Sequence, residues 1–104
     1  MAEVRWSVSA ADDLRAIEEW IARDAPRHAV EFVDHLVDAA TKLKRMPRSG
    51  RVVPEFGRRD VREVVFRGYR IVYLVRPRVV TVLRVVHGAR DLKSLREGEG
   101  WSLP

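Results

Sequence analysis

Arginine and histidine are the residue types in this sequence that could do chemistry on an anionic partner. Residues 48–104 carry thirteen Lys/Arg, twelve of them arginine, against six Asp/Glu, whereas residues 1–47 carry seven Lys/Arg against nine Asp/Glu. The planar guanidinium group binds phosphates and carboxylates and stays charged when it is partly desolvated. The uneven charge therefore indicates an anionic partner for the C-terminal half of the chain.

The histidines offer one candidate for proton transfer. His87, at the end of a strand-like stretch, could exchange a proton near neutral pH, or it could serve only structure or partner contact. His28 and His35 belong to a helical stretch without a carboxylate-rich motif, so no metal site is expected. The chain has no cysteine, which excludes disulfides, zinc–thiolate sites and a cysteine nucleophile. No cofactor is expected.

The length of 104 residues predicts one domain over residues 1–104, with residues 91–104 a partly mobile tail. No apolar run approaches the roughly 18 residues of a membrane span. The N-terminal residues follow a strand pattern and not that of a signal peptide. We therefore expect a cytoplasmic protein with no membrane partner.

The elements that would position these residues begin with a strand and a helix. Alternation of Val4, Trp6 and Val8 predicts the strand. Ser9 is then expected as the N-cap of a helix that runs to about residue 24, with the carboxylate of Asp12 in its first turn.

A second helix is predicted from Pro26 to about residue 46, and the two helices form an antiparallel hairpin. A short strand near 51–53 and longer ones at about 60–66, 69–75 and 78–87 follow, with tight turns at Arg67-Gly68 and Arg76-Pro77. This order, β-α-α-β-β-β-β, predicts an α+β fold in which the helical hairpin packs on one face of an antiparallel sheet.

Two-residue turns would divide the strand residues between two largely apolar faces. The helical hairpin can cover only one face, so the other is expected to be an exposed partner site. The face predicted beneath the helices holds Arg62, Val64, Phe66, Tyr69, Ile71, Tyr73, Val75, Val80, Val82, Arg84 and Val86. The face predicted to be exposed holds Val61, Glu63, Val65, Arg70, Val72, Leu74, Val79, Leu83, Val85 and His87. Glu63 and Arg70 lie diagonally on it, where a structural ion pair is favoured over chemistry.

Five segments together resemble the ParE-type toxins. They are Leu14–Ala22 followed by Pro26 and Phe32-Val33-Asp34, then Pro47–Glu55, Val61–Val64, Gly68–Tyr73 and Val86–Asp91. The resemblance covers roughly residues 4–92 and points to the RelE/ParE superfamily, whose members are toxins neutralised by an antitoxin encoded beside them.

The resemblance implies one of two mechanisms. RelE-like toxins are ribosome-dependent mRNA endonucleases that need a base, a cation and an acid, whereas ParE-like toxins bind DNA gyrase and have no active site. Where RelE-like toxins place basic strand residues, this sequence has Val61, Glu63 and Val65. The resemblance therefore favours a gyrase inhibitor that is not an enzyme. An mRNA endonuclease that uses Arg70, His87 and Arg90 is the alternative, and a basic module that binds nucleic acid is a third interpretation.

The resemblance also implies partners. A ParD-like antitoxin encoded adjacently is expected to dock a helix or strand on the exposed face, at Val61, Glu63, Val65, Arg70, Val72 and Leu74. Gyrase contacts, or merely a basic rim, are expected at one end of the sheet, at Arg84, Arg90, Lys93 and Arg96.

Overall fold

The computed structural model describes residues 1–90 and Leu92. Five strands form one sheet in the order β1-β5-β4-β3-β2, with two helices on one face. The elements are β1 (Glu3–Trp6), α1 (Val8–Ala22), α2 (Pro26–Thr41), a 3-10 turn (Lys42–Lys44), β2 (Arg51–Val52), β3 (Val61–Phe66), β4 (Tyr69–Val75) and β5 (Val79–His87). The predicted α+β fold and its order of elements are confirmed. The predicted tail lies outside the described residues, Leu92 excepted.

The sheet is mixed, which the sequence prediction of an antiparallel sheet did not include. Strand β1 pairs with β5 in parallel, with Val4 beside Val80 and Trp6 beside Val82, while the other three pairings are antiparallel. Because β1 lies along the outer edge of β5, the first half of the longest strand, Val79–Val82, is hydrogen-bonded on both sides.

Helix α1 begins two residues earlier than the sequence pattern predicted. Its N-cap is Ser7, whose hydroxyl accepts the backbone N–H of Ala10 at 3.0 Å, and not Ser9. Val8 is accordingly the first residue of the helix instead of the last of the strand, and Asp12 lies beyond the first turn. The hydroxyl of Ser7 also donates to the carbonyl of Leu83 at 2.9 Å, so the cap ties the start of the helix to β5.

The two tight hairpins differ in how well the sequence predicted them. Arg67 and Gly68 both have positive φ, 46° and 87°, as a type I′ turn requires, and Phe66 pairs with Tyr69 across them. The second turn is Pro77-Arg78, one residue later than predicted, because the N–H of Arg76 donates to the carbonyl of Val79 at 2.9 Å.

A bulge in β5 changes which residues share a face. Val72 pairs with Arg84 and Tyr73 with Val82, so Leu83 has no partner on β4. An extra residue reverses the alternation of every later side chain. Val85 therefore packs in the core beneath the helices and Val86 on the opposite face, which is the reverse of the sequence prediction.

Asp13 of α1 completes the bulge. Its carboxylate accepts the backbone N–H of Val85 at 2.8 Å and two guanidinium N–H groups of Arg84 at 2.8 and 3.0 Å. Ladder disruption at a bulge frees backbone groups that must find other partners when buried. The carboxylate provides that partner, and it fixes α1 against the sheet.

The sheet face opposite the helices is not an exposed apolar patch, and the sequence prediction that it would be is wrong. Five of the six residues predicted there as antitoxin contacts are buried, namely Val61, Glu63, Arg70, Val72 and Leu74. The cover comes from the loop between β2 and β3, through Val53 and Phe56, and from Leu92. Two hydrophobic layers thus enclose the sheet, and the sequence pattern had accounted for only one of them.

Candidate functional site

Four charged side chains form a linked set of ion pairs on the face opposite the helices. Nε of Arg70 donates to Glu63 at 2.5 Å, and its two terminal nitrogens donate to Glu55 at 2.6 and 2.7 Å. Nε of Arg51 donates to the other carboxylate oxygen of Glu63 at 2.6 Å. The predicted ion pair between Glu63 and Arg70 is confirmed, and the structure adds Glu55 and Arg51 to it. We call these four residues the carboxylate clamp.

The strand register explains why the clamp forms. Glu63 pairs with Val72 and Arg70 with Val65, so the two charges lie diagonally on neighbouring strands, within reach of each other. Strand β2 places Arg51 directly beside Glu63.

The clamp shifts the pKa of Glu55 and of Arg70. The bidentate hydrogen bonds from Arg70 lower the pKa of Glu55 to about 2, and the two carboxylates raise the pKa of Arg70 above its ordinary value. The side chain of Arg70 is only 7% exposed and that of Glu63 is fully buried. Arg70 is therefore a permanently charged group whose hydrogen bonds are directed at protein carboxylates, which leaves it poorly placed to stabilise a phosphate.

His87 and Arg70 do not share a face, although the sequence prediction placed them together. Because of the bulge, His87 pairs with Tyr69 and its ring meets the Tyr69 ring edge-on, with centroids 5.8 Å apart. Nδ1 of His87 accepts the N–H of Ala89 at 3.4 Å. Arg90 is exposed, and its carbonyl lies 3.5 Å from a terminal nitrogen of Arg70. The structure does not gather these three side chains around one point.

Arg84 is not part of an exposed basic rim, contrary to the sequence prediction. It is buried and paired with Asp13 at 2.8 Å, so its charge stabilises the contact between α1 and β5. Lys93 and Arg96 lie outside the described residues. Of the four predicted target contacts, Arg90 is thus the one that the structure describes as exposed.

A second cluster of positive charge lies at the end of the sheet where β4 finishes. The residues after the 3-10 turn meet the β4–β5 turn there and enclose a cavity of about 640 Å³, lined by Arg45, Met46, Pro47, Arg48, Ser49, Val75, Arg76 and Pro77. The segment Arg58–Arg62 adjoins it, because Arg62 donates to the carbonyl of Gly50 at 3.0 Å and Arg76 to Asp60 at 2.8 Å. We call this region the basic end.

The loop of the basic end is anchored to strand β4 at Gly50. The backbone N–H of Gly50 donates to the hydroxyl of Tyr73 at 2.9 Å. A Cβ atom at residue 50 would lie 2.4 Å from the carbonyl oxygen of Glu63 and 2.5 Å from the Tyr73 hydroxyl, so only glycine allows this close approach. The loop therefore has a defined position relative to β3 and β4.

Comparison with known proteins gives the family. The model of the family described as the ParE toxin of type II toxin–antitoxin systems, parDE, matches residues 4–92. The chain belongs to the ParE toxin family. It is also 35% identical over 91 residues to Toxin RelE2 of Caulobacter vibrioides, an alignment that covers 86% of this chain and 99% of that protein.

Two solved structures share the fold of the toxin. One, of the chromosomal ParDE toxin–antitoxin system from P. aeruginosa, superposes with a TM-score of 0.72 at 22% identity, covering 84% of this chain and 96% of the other. The E. coli DinJ–YafQ complex gives a TM-score of 0.51 at 11% identity, with coverage of 86% and 96%. The ParE/RelE resemblance inferred from the sequence is confirmed.

Two further observations concern metal binding and membrane-spanning helices. Across residues 1–90 and Leu92, no group of three or more acidic or histidine side chains is placed to hold a metal ion. In the same part of the chain, no helix is long and apolar enough to cross a membrane.

One feature of the sequence could have indicated the clamp. Residues 48–90 contain only three acidic residues, Glu55, Asp60 and Glu63, and each of them forms an ion pair with arginine in the structure. Sparse carboxylates in a strongly basic stretch are therefore a reason to expect pairing. No spacing rule links Glu55 to Arg70, so the particular partner was not predictable.

Proposed function

We propose that this type II toxin inhibits DNA gyrase by binding it, and that a ParD-like antitoxin encoded adjacently neutralises it in the cytoplasm. Membership of the ParE family supports the target, because ParE-like toxins bind gyrase. The observation that carries the proposal is the carboxylate clamp. In the clamp, Arg70, a residue of the candidate nuclease set, donates its hydrogen bonds to Glu55 and Glu63.

The target is tested with purified gyrase and relaxed plasmid. Addition of the toxin should block ATP-dependent supercoiling, and purified antitoxin added with it should restore supercoiling. Normal supercoiling at a large excess of folded toxin would contradict the proposal.

The gyrase-binding surface includes Arg90, with Lys93 and Arg96 following it in the chain. Replacing the three with alanine should weaken inhibition of supercoiling at least tenfold, because three cations that attract an anionic target are lost. The matched control replaces three arginines of the helical hairpin, Arg15, Arg23 and Arg27, and should inhibit like the unaltered toxin. Equal effects of both triple substitutions would mean that net charge, and not this surface, decides binding.

Of the six predicted antitoxin contacts, Val65 is the one whose side chain is exposed. Its side chain is an exposed apolar group, 63% accessible, on β3, and an apolar surface of the antitoxin would gain by covering it. Val65→Asp should reduce the affinity for antitoxin about tenfold in a titration. Val8→Asp, at a valine 79% exposed on α1, is the matched control and should leave the affinity unchanged.

A ribosome-dependent mRNA endonuclease is the second candidate, favoured by the name of the RelE2 relative. It requires Arg70, His87 and Arg90 to act together on RNA. The discriminating measurement is mRNA integrity in a reconstituted translation reaction. If the toxin cleaves mRNA specifically, and Arg90→Ala and His87→Ala each abolish the cleavage, this alternative is established and gyrase is displaced as the target.

A further inference from the structure

The basic end carries positive charge that its own carboxylates do not balance. Arg58 and Arg76 share Asp60, at 2.7 and 2.8 Å, and Asp38 lines a neighbouring pocket with Lys44 and Arg45. The guanidinium of Arg62 donates to the carbonyls of Arg59 and Gly50 at 3.0 Å, which orients the group without neutralising it. The further exposed cations in this region are Lys44, Arg45, Arg48, Arg59 and Arg78.

Three of these arginines line one pocket, namely Arg45, Arg48 and Arg76. Burial raises the pKa of the Tyr73 hydroxyl, while the positive charges of Arg62 and Arg48 act in the opposite sense. These arginines come from β3 and from the loop before β2, yet both lie within electrostatic reach of the same hydroxyl. Arg48 and Arg62 are therefore close to each other, and Arg48 shares its pocket with Arg45 and Arg76.

The backbone of the loop that follows Arg48 is fixed before any ligand binds. Gly50 is held against Tyr73, and the guanidinium of Arg62 bridges the two loops on either side of β2 through backbone carbonyls. A preformed site loses less conformational entropy on binding.

The excess of cations over carboxylates at the basic end favours a densely charged anionic ligand. Duplex DNA presents one negative charge per about 1.7 Å of its axis, whereas an extended acidic peptide presents at most one charge per about 3.3 Å. The side chains that line the cavity include no aromatic ring, so there is no platform on which unpaired bases could stack. These features suit a polyanion recognised through its phosphates and not through its bases.

We propose that the basic end binds the phosphodiester backbone of a nucleic-acid duplex without reading its sequence. Arg45, Arg48, Arg76 and Arg78 supply the phosphate contacts, and Arg62 supports the loop that carries the first two. The proposal goes beyond the proposed gyrase target and does not depend on it, because the binding is a property of the toxin alone.

The test measures fluorescence anisotropy of labelled 30-base-pair duplexes, one DNA and one RNA, and of the single DNA strand, from about 50 to about 200 mM KCl. Each phosphate contact changes log K by about 0.9 per tenfold change in salt, so it is worth about eightfold in affinity near 0.1 M. Arg45→Gln with Arg48→Gln should therefore weaken duplex binding about sixtyfold and reduce the salt slope by about two. Arg23→Gln with Arg27→Gln removes the same charge from the helical hairpin and should change affinity less than threefold.

The proposal is supported if either duplex binds more tightly than the single strand and if only the basic-end variant loses affinity. Comparison of the DNA and RNA duplexes then identifies the source of the phosphates. Three outcomes overturn it: no duplex binding at 50 mM KCl, equal loss in the two variants, or displacement of the duplex by polyglutamate at equal charge concentration. The last would make the basic end an acidic-peptide site. Arg76→Gln with Arg78→Gln serves as a second basic-end variant, and circular dichroism confirms that each variant is folded.

Discussion

Replacement of Arg70 by methionine should destabilise the toxin strongly, although methionine is apolar and similar in length. The carboxylate of Glu63 is fully buried and would keep only the exposed Arg51 as its charged partner. Removing one partner of a buried pair typically costs about 3–5 kcal/mol, because the remaining charge is left without compensation. Glu55 contributes less to this cost because its side chain, 21% exposed, can turn towards water.

A double substitution that removes both charges of the buried pair tests this explanation most directly. Glu63→Met together with Arg70→Met removes both buried charges, and an apolar pair of similar volume in place of an ion pair is often neutral or stabilising. The double variant should therefore lie within about 1 kcal/mol of the unaltered toxin, even though Arg70→Met alone is far less stable. The coupling free energy of this double-mutant cycle should be about 3 kcal/mol.

Urea denaturation followed by far-ultraviolet circular dichroism measures these differences, and thermal melting provides a check. For a domain of this size each kcal/mol shifts the Tm by about 4–8 °C, so Arg70→Met should lower the Tm by about 12 °C or more. Arg67→Met is the matched control, since Arg67 is exposed in the turn next to β4. A loss below about 1 kcal/mol for Arg70→Met, or simple additivity in the double variant, would refute the buried clamp.

Three further predictions concern neighbouring parts of the structure. The folded pKa of Glu55, about 2, lies below its ordinary value of 4.5, so its pair stabilises the fold above pH 4.5 and this contribution is lost as the pH falls towards 2. Glu55→Gln should reduce this loss of stability at acid pH when the free energy of unfolding in urea is measured against pH. An unchanged loss would mean that Glu55 is not paired. Gly50→Ala should cost about 2 kcal/mol through overpacking against Tyr73, and a Tm equal to that of the unaltered toxin would contradict the close approach. Asp13→Ala should cost about 2 kcal/mol or more, because the buried N–H of Val85 loses its acceptor; deuterium exchange at Val85 should accelerate, and unchanged protection would rule out this contact.

The sequence predicted those parts of the fold that rest on local patterns. The Arg67-Gly68 turn follows from the positive φ that type I′ turns require, and Pro26 begins α2 where proline is tolerated. Strand boundaries were also close to those observed, because apolar alternation is a strong local signal. The parallel pairing of β1 with β5 has no such signal, since the two segments are separated by most of the chain.

The errors about the site have two causes, the cover of the second sheet face by the loop between β2 and β3 and by Leu92, and the extra residue in β5. Alternation from the turn onward predicted that His87 would lie beside Arg70, and the bulge at Leu83 moved it to the other face. The sequence at this point, Leu83-Arg84-Val85, has no glycine to mark a bulge. The acceptor that stabilises it, Asp13, comes from α1, so only the tertiary structure reveals it.

The bulge also affects how relatives of this toxin are to be aligned and redesigned. Each residue of β5 after Leu83 owes its orientation to that single insertion, so a relative lacking it would point the equivalent of His87 to the face that holds Arg70. A gap-free alignment would then equate side chains on opposite surfaces, and any function transferred through it would be assigned to the wrong one. Deleting Leu83 by design would be a direct way to exchange the surfaces on which the last residues of β5 are displayed.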